Sequence, residues 1–267
     1  MDDKPASPAR RKGIYILPNL FTTATLFGGF YAIVMAMNGH FEAACIGILV
    51  AMVADGLDGR IARLTGTATD FGKEYDSLCD MVAFGVAPAI LVYAFSLRYF
   101  ADYPWFGGKV GWVIAFTYCA CAALRLARFN VLAAIASSNK DFYGVPSPTA
   151  AGVVTFFVWS CVDDSKSLFV WVAGRVPFEG TDVLIVAAPL TLLTALSMVT
   201  SIRYNSFKKL EGGPVRFLSF AAVVGVILLA TLDPPRVLFL AAFGYVLSGP
   251  IAALMRRTRK PSAPAPN

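Results

Sequence analysis

Long apolar stretches recur along the whole chain and are separated by short polar turns. Each has about the length that a helix needs to cross a bilayer, roughly 17 to 25 residues. The pattern predicts an all-α, polytopic membrane bundle of about eight transmembrane helices. They run from Pro18 to Met37, Phe41 to Leu64, Asp70 to Phe95, Gly111 to Phe129, Thr149 to Val162, Thr181 to Tyr204, Phe217 to Leu232 and Val237 to Met255.

Composition excludes a soluble domain. Apolar residues make up 57% of the 267 residues and charged residues only 15%, where a soluble domain carries about 25% charged residues. The five cysteines lie in apolar segments and the one histidine, His40, lies in a short turn, so neither residue type offers a metal cluster or a triad.

The basic residues indicate the orientation in the membrane. An even number of helices places both termini on one side, and most of the 23 Lys and Arg residues then fall on that side. By the positive-inside rule, both termini are predicted to be cytoplasmic, in a cell (inner) membrane. The net charge of +6 is thus a topology signal, and no nucleic-acid partner is expected. Residues 1–13 and 260–267 are predicted to be disordered tails, because neither has an apolar face.

Four acidic residues interrupt the apolar pattern of the second and third helices. Asp55 and Asp58 are three residues apart, and Asp76 and Asp80 are four apart, so each pair lies on one face of its helix. If the two helices run antiparallel, the four carboxylates converge at the cytoplasmic interface. Charges there cost a few kcal/mol unless they are paired or coordinated.

These carboxylates favour a site for two hard divalent cations, because oxygen ligands without His or Cys suit magnesium or manganese better than zinc. Two such ions could clamp a diphosphate. The small residues Gly59 and Ala62 permit close backbone approach by a ligand, and Arg63 offers a planar fork for phosphate oxygens. The alternative is that the acids are solvated helix-end charges paired with Arg60, Arg63 and Lys73.

The spacing D-x2-D-G-x2-A-R-x8-G-x3-D-x3-D, from Asp55 to Asp80, resembles the signature of the CDP-alcohol phosphatidyltransferase family without a gap. The resemblance implies that an alcohol displaces CMP from a CDP-linked lipid. It also implies that Asp55, Asp58, Asp76 and Asp80 hold two divalent cations, magnesium or manganese, with Asp80 as general base. A homodimer is implied as well.

Other positions resemble nucleotide-contacting positions of that family. Asn19 and Thr22 open the first helix and Thr69 precedes the third, although Asn19 and Thr22 also suit a helix start. The expected CDP-lipid-binding residues are Asn19, Thr22, Asp55, Gly59, Ala62, Arg63, Thr69 and Gly72. Residues 14–204 are predicted to form the catalytic domain, followed by two additional helices within residues 205–259.

The acceptor alcohol must be recognised outside the shared signature. Arg125, Arg128 and Asn130 end the fourth helix, and they lie in a segment that resembles the serine-using branch of the family. The segment from Phe142 to Thr149, which leads into the fifth helix, resembles the same branch or is a plain loop. The two arginines share a helical face and could bind a carboxylate or a phosphate together, or they could be membrane anchors. The expected reaction transfers a phosphatidyl group from CDP-diacylglycerol to L-serine. Glycerol phosphate, inositol phosphate or choline as acceptor, and a cation-coupled transporter, remain alternatives.

Overall fold

The computed structural model describes residues 8–65, 69–103, 108–135, 144–162, 179–200 and 231–258. Within these ranges the regular elements are all helical, which confirms the predicted all-α class. A π-helical segment, Met81–Val86, joins two of the helices, and a 3-10 helix spans Leu97–Asp102. The α-helices are α1 (Pro8–Met37), α2 (Phe41–Thr65), α3 (Asp70–Asp80), α4 (Ala87–Phe95), α5 (Lys109–Ile135), α6 (Ser147–Val162), α7 (Leu184–Val199) and α8 (Pro234–Thr258).

All predicted helices but one have a counterpart. The exception, Phe217 to Leu232, lies almost wholly outside the described residues. The first helix begins at Pro8 and not at Pro18, so residues 8–13, which were predicted as part of a disordered tail, are helical. The reason is local, because proline suits the first position of a helix and the Ala, Arg and Lys residues that follow are strong helix formers.

Four stretches are long and apolar enough to cross a membrane: Asn19–Met37, Asp70–Phe95, Lys109–Leu132 and Pro234–Ala252. The apolar helices α6 and α7 are shorter. Large apolar side chains are exposed on the bundle, including Phe27 at 70% and Ile185 at 86%. Such a surface suits contact with lipid, so the chain is a helical membrane protein. Eight spans with cytoplasmic termini stay a prediction.

Small residues let the helices around the acidic motif pack closely. On α1, a Cβ added to Gly29 would lie 2.6 Å from the Cα of Ala83, which belongs to the π-helical segment. Ala32 of α1, Ala44 of α2 and Ala87 of α4 are also fully buried. Close backbone approach through small side chains is typical of membrane helices. Helix α1 therefore fixes the position of the segment that directly follows Asp80.

Pro88 follows the π-helical segment closely and removes one helical donor from it. In a regular α-helix the carbonyl of Phe84 would accept a hydrogen bond from the N–H of residue 88, but proline has none. The fully buried Tyr118 of α5 donates its hydroxyl hydrogen to this carbonyl at 3.2 Å. A side chain of α5 thus satisfies a backbone group that Pro88 leaves open, and it does so one turn after Asp80.

Removing the Tyr118 hydroxyl should destabilise the protein. We expect Tyr118→Phe to lower the free energy of unfolding by about 1–3 kcal/mol, because the Phe84 carbonyl would stay buried without its donor. Thermal unfolding in detergent measures the change. The matched control is Tyr31→Phe, which deletes a hydroxyl from a partly exposed tyrosine of α1. Equal unfolding temperatures for the two variants would contradict the assignment.

The start of α6 is fixed by a glycine turn. Gly144 has a φ of 79°, and a Cβ added there would lie 2.4 Å from the carbonyl oxygen of Met198 on α7. The next residue, Val145, donates its N–H to the carbonyl of Ser197 at 3.2 Å. Only glycine combines this backbone conformation with such close approach. The turn therefore holds Ser147, the first residue of α6, beside the end of α7.

Candidate active site

Three acidic side chains from two helices meet in the structure. Asp55 lies on α2, and Asp76 and Asp80 lie one turn apart on α3. Each offers a carboxylate oxygen, and these three oxygens lie within 4.8 Å of one another. All three residues are partly buried. We call this set the Asp55 group. Like charges held this closely in a partly dry place repel one another unless a cation lies between them.

The Asp55 group fits a hard divalent cation. Oδ1 of Asp80 is buried and has no hydrogen-bond partner among the described residues, so it is a ligand atom that the protein leaves uncommitted. All donors are carboxylate oxygens, the type that magnesium and manganese prefer. The arrangement could therefore bind a divalent cation, and through it the phosphates of a nucleotide.

Asp58 lies beside this group but is not part of it. It is buried on α2 and accepts a hydrogen bond from the Thr22 hydroxyl of α1. It remains close enough to Asp76 to interact with it electrostatically. The structure therefore brings three of the four predicted carboxylates together and turns the fourth toward α1. The assignment of Asp58 as a metal ligand stays a prediction.

The first turns of α1's membrane span and of α3 lie next to each other. Thr69 caps α3, because its hydroxyl accepts a hydrogen bond from the N–H of Gly72 at 3.0 Å. A Cβ added to Gly72 would lie 3.7 Å from Oδ1 of Asn19. A second contact joins the helices where the hydroxyls of Thr23 and Tyr75 are 3.0 Å apart. These contacts show a cap and a helix junction, and nucleotide binding by these residues stays a prediction.

The remaining candidates of the signature lie on the last turns of α2. Gly59 is exposed, and a Cβ added to it would meet nothing within 4 Å among the described atoms. Backbone at this position is therefore accessible to a ligand, as its small size suggested. The backbone of Ala62 and Arg63 continues α2, but their side chains lie outside the described part of the structure.

The predicted acceptor residues face different neighbours. Arg125 is partly buried, interacts electrostatically with Asp80 and donates a hydrogen bond to the Ser147 hydroxyl. Arg128 is exposed, and its NH1 group lies 3.4 Å from the carbonyl oxygen of Val199. Asn130 donates to the Ser77 hydroxyl of α3 at 3.0 Å. The structure thus brings Arg125 within electrostatic reach of Asp80, whereas Asn130 ties α5 to α3.

Sequence reasoning did not assign three residues near Arg125 to the site. They are Ser147, Tyr118 and Tyr245, of which Tyr118 and Tyr245 interact electrostatically with Arg125. Ser147 stands in the segment from Phe142 to Thr149, which resembles the serine-using branch but could equally be a plain loop, and the tyrosines stand in apolar helices without a motif. The one available signal was Pro88, whose missing N–H calls for a donor from a neighbouring helix.

Comparison with known proteins connects this geometry to chemistry. A family model described as CDP-alcohol phosphatidyltransferase matches residues 15–178. The CDP-diacylglycerol–serine O-phosphatidyltransferase of Helicobacter pylori is 37% identical over 198 residues, which cover 74% of this chain and 75% of the relative. Archaetidylserine synthase of Methanothermobacter thermautotrophicus is 37% identical over 163 residues, or 60% of this chain and 65% of the relative.

A third relative is the CDP-diacylglycerol–serine O-phosphatidyltransferase of Mycobacterium leprae, which is 39% identical over 155 residues, or 57% of this chain and 49% of the relative. The segment that the family model matches contains the Asp55 group and Arg125. It ends at residue 178, before α7 and α8 begin. The last two helices therefore lie outside the matched segment.

Proposed function

Because the chain belongs to the CDP-alcohol phosphatidyltransferase family, we propose that it transfers the phosphatidyl group of CDP-diacylglycerol to the hydroxyl of L-serine. The products are a phosphatidylserine and CMP. Membership makes the chain a transferase of phospholipid biosynthesis. The names of the relatives from Helicobacter pylori and Mycobacterium leprae favour serine as the acceptor.

The observation that carries the proposal is the position of Asp80. This carboxylate belongs to the Asp55 group, keeps one oxygen without a hydrogen-bond partner, and interacts with Arg125 across the helix interface. A general base must lie within reach of both the reacting phosphate and the acceptor hydroxyl. Asp80 meets this requirement if Arg125 binds the acceptor, since the two side chains are close enough to interact electrostatically.

The residues of the Asp55 group, with Asp58 as a further predicted ligand, would hold the divalent cations. Such ions would neutralise the diphosphate and polarise the phosphorus. The serine hydroxyl oxygen bonds to the phosphorus that carries the diacylglycerol, and Asp80 accepts the hydroxyl proton. The bond between that phosphorus and the oxygen that leaves with CMP breaks. Arg125 orients the acceptor by binding the carboxylate of L-serine. Arg63 is the predicted partner of the phosphates.

We also propose that the site opens to the cytoplasmic side of the cell (inner) membrane. The predicted cytoplasmic ends of the helices carry most of the Lys and Arg residues. CDP-diacylglycerol would then keep its acyl chains in the bilayer while its diphosphate reaches the Asp55 group at headgroup depth. The homodimer and the second divalent cation stay predictions that follow from family membership.

An acceptor panel tests the proposed reaction. The purified chain is given CDP-diacylglycerol, manganese and one labelled acceptor at a time: L-serine, glycerol 3-phosphate, inositol phosphate or choline. We expect label to enter lipid with L-serine and CMP to be released in equal amount. If label entered lipid from another acceptor but not from L-serine, serine would not be the substrate. An absence of CMP release with every acceptor, in detergent where no compartments exist, would favour a transporter.

A further inference from the structure

We propose that Tyr245, on the last helix, binds the carboxylate of the acceptor together with Arg125. The inference rests on the proposed function and adds a specificity-determining residue from α8, which lies outside the segment matched by the family model. We call Arg125, Ser147 and Tyr245 the Arg125 cluster. Its three members come from α5, α6 and α8, so the packing of these helices decides whether the cluster forms.

Helix α8 packs against α6 in the antiparallel direction. Phe239, near the start of α8, lies with its ring centroid 5.8 Å from that of Phe157, near the end of α6. Further along α8, the Cβ of Ala242 lies 3.6 Å from the position that a Cβ would take on Gly152 of α6. One more turn along each helix reaches Tyr245 and the start of α6. The partly buried Tyr245 therefore packs against the core near Ser147.

Arg125 connects this junction to the Asp55 group. Its NH1 group donates to the Ser147 hydroxyl, and its guanidinium interacts electrostatically with both Tyr245 and Asp80. Its Nε–H is buried and has no hydrogen-bond partner among the described residues. A guanidinium with an uncommitted donor, within electrostatic reach of a phenol, is suited to an anionic group, because both groups can donate to carboxylate oxygens.

The chemistry of serine matches this arrangement. Its carboxylate and its hydroxyl are separated by two carbon atoms, so a carboxylate held by Arg125 and Tyr245 leaves the hydroxyl on the side of Asp80. An acceptor without a carboxylate would leave the uncommitted donor of Arg125 unpaired, which is costly in a buried place. The Arg125 cluster would therefore select serine over alcohols of similar size, such as ethanolamine.

The test compares Tyr245→Phe with Tyr103→Phe, which deletes a hydroxyl from an exposed tyrosine after the 3-10 helix. Apparent KM and kcat are measured for L-serine, for CDP-diacylglycerol and for ethanolamine, which is serine without its carboxylate. For Tyr245→Phe we expect the apparent KM for serine to rise about 10- to 100-fold, as for one lost hydrogen bond to a charged group. The constants for the lipid and for ethanolamine should change less than twofold, and Tyr103→Phe should match the wild type.

Two results would overturn the inference. One is a serine KM for Tyr245→Phe equal to that of Tyr103→Phe. The other is an equal rise of the serine and lipid constants together with a lower unfolding temperature, which would show that Tyr245 only supports packing. Arg125→Lys tests the role of Arg125 separately from that of Tyr245, since it should raise the apparent KM for serine even if Tyr245 does not bind the acceptor. If the wild-type chain transfers nothing to serine, the proposed function itself is wrong.

Discussion

Replacing Asp80 by asparagine is expected to lower kcat by about three powers of ten. Positioned general bases contribute about 10²- to 10⁴-fold, and the amide cannot accept the proton of the attacking hydroxyl. Asn keeps the size of the side chain and one oxygen, so the lipid and nucleotide should still bind. The measurement is CMP release at saturating CDP-diacylglycerol and L-serine, with nucleotide binding followed in parallel.

The control for this variant must distinguish the base from a ligand. Asp55→Asn removes a carboxylate from the same group without touching the residue next to Arg125. If Asp80 is the base, Asp80→Asn should lose more turnover than Asp55→Asn at saturating manganese, because added metal can compensate only for a weakened ligand. A kcat of Asp80→Asn close to that of the wild type would contradict the assignment of the base.

Removing the Asp76 carboxylate is expected to weaken divalent-cation binding by about 100-fold or more. The oxygens of Asp55, Asp76 and Asp80 lie within 4.8 Å of one another, so the loss of one donor leaves an incomplete set. Even residues that only support metal ligands cost about 10- to 100-fold in affinity when they are changed. Direct titration with Mn²⁺, followed by electron paramagnetic resonance, measures binding without relying on turnover.

Asp70 supplies a matched control on the same helix. Its side chain is 99% exposed and pairs with Lys73 at 3.0 Å, an interaction of the kind that contributes little to stability. Asp70→Asn removes the same charge as Asp76→Asn, so both variants change the net charge of the protein equally. We expect Asp70→Asn to bind Mn²⁺ like the wild type. Equal affinities for the two variants would show that Asp76 is not a ligand.

Much of the fold could be predicted because membrane helices have a strong pattern. Long apolar stretches and their polar interruptions indicated most helices, and the spacing of Asp76 and Asp80 placed both on one face of α3. The early start of α1 at Pro8 was missed, since the pattern predicts only the apolar part of a helix. The length of an apolar stretch does not indicate whether polar residues continue the same helix beyond it.

The site was harder to predict because side-chain partners depend on tertiary packing. Arg125 and Arg128 are three residues apart and looked equivalent, yet one reaches Ser147 and the other the carbonyl of Val199. Likewise, the position of Asp58 beside Thr22 depends on how α1 lies against α2. Spacing along one helix defines a shared face, but it cannot say which residue of another helix lies opposite.

The π-helical segment contains one residue more than a regular helix would, and this residue sets the direction in which Asp76 and Asp80, the acidic pair, point relative to α4. One residue of an α-helix corresponds to a rotation of about 100°. The wider turn of Met81–Val86 accommodates one residue more than a regular helix would, directly after Asp80. A chain shortened by one residue in this segment could close a regular helix across it. The acidic pair would then turn by about 100° relative to α4, away from Asp55. The length of this short stretch is therefore as essential to the geometry of the site as the carboxylates themselves.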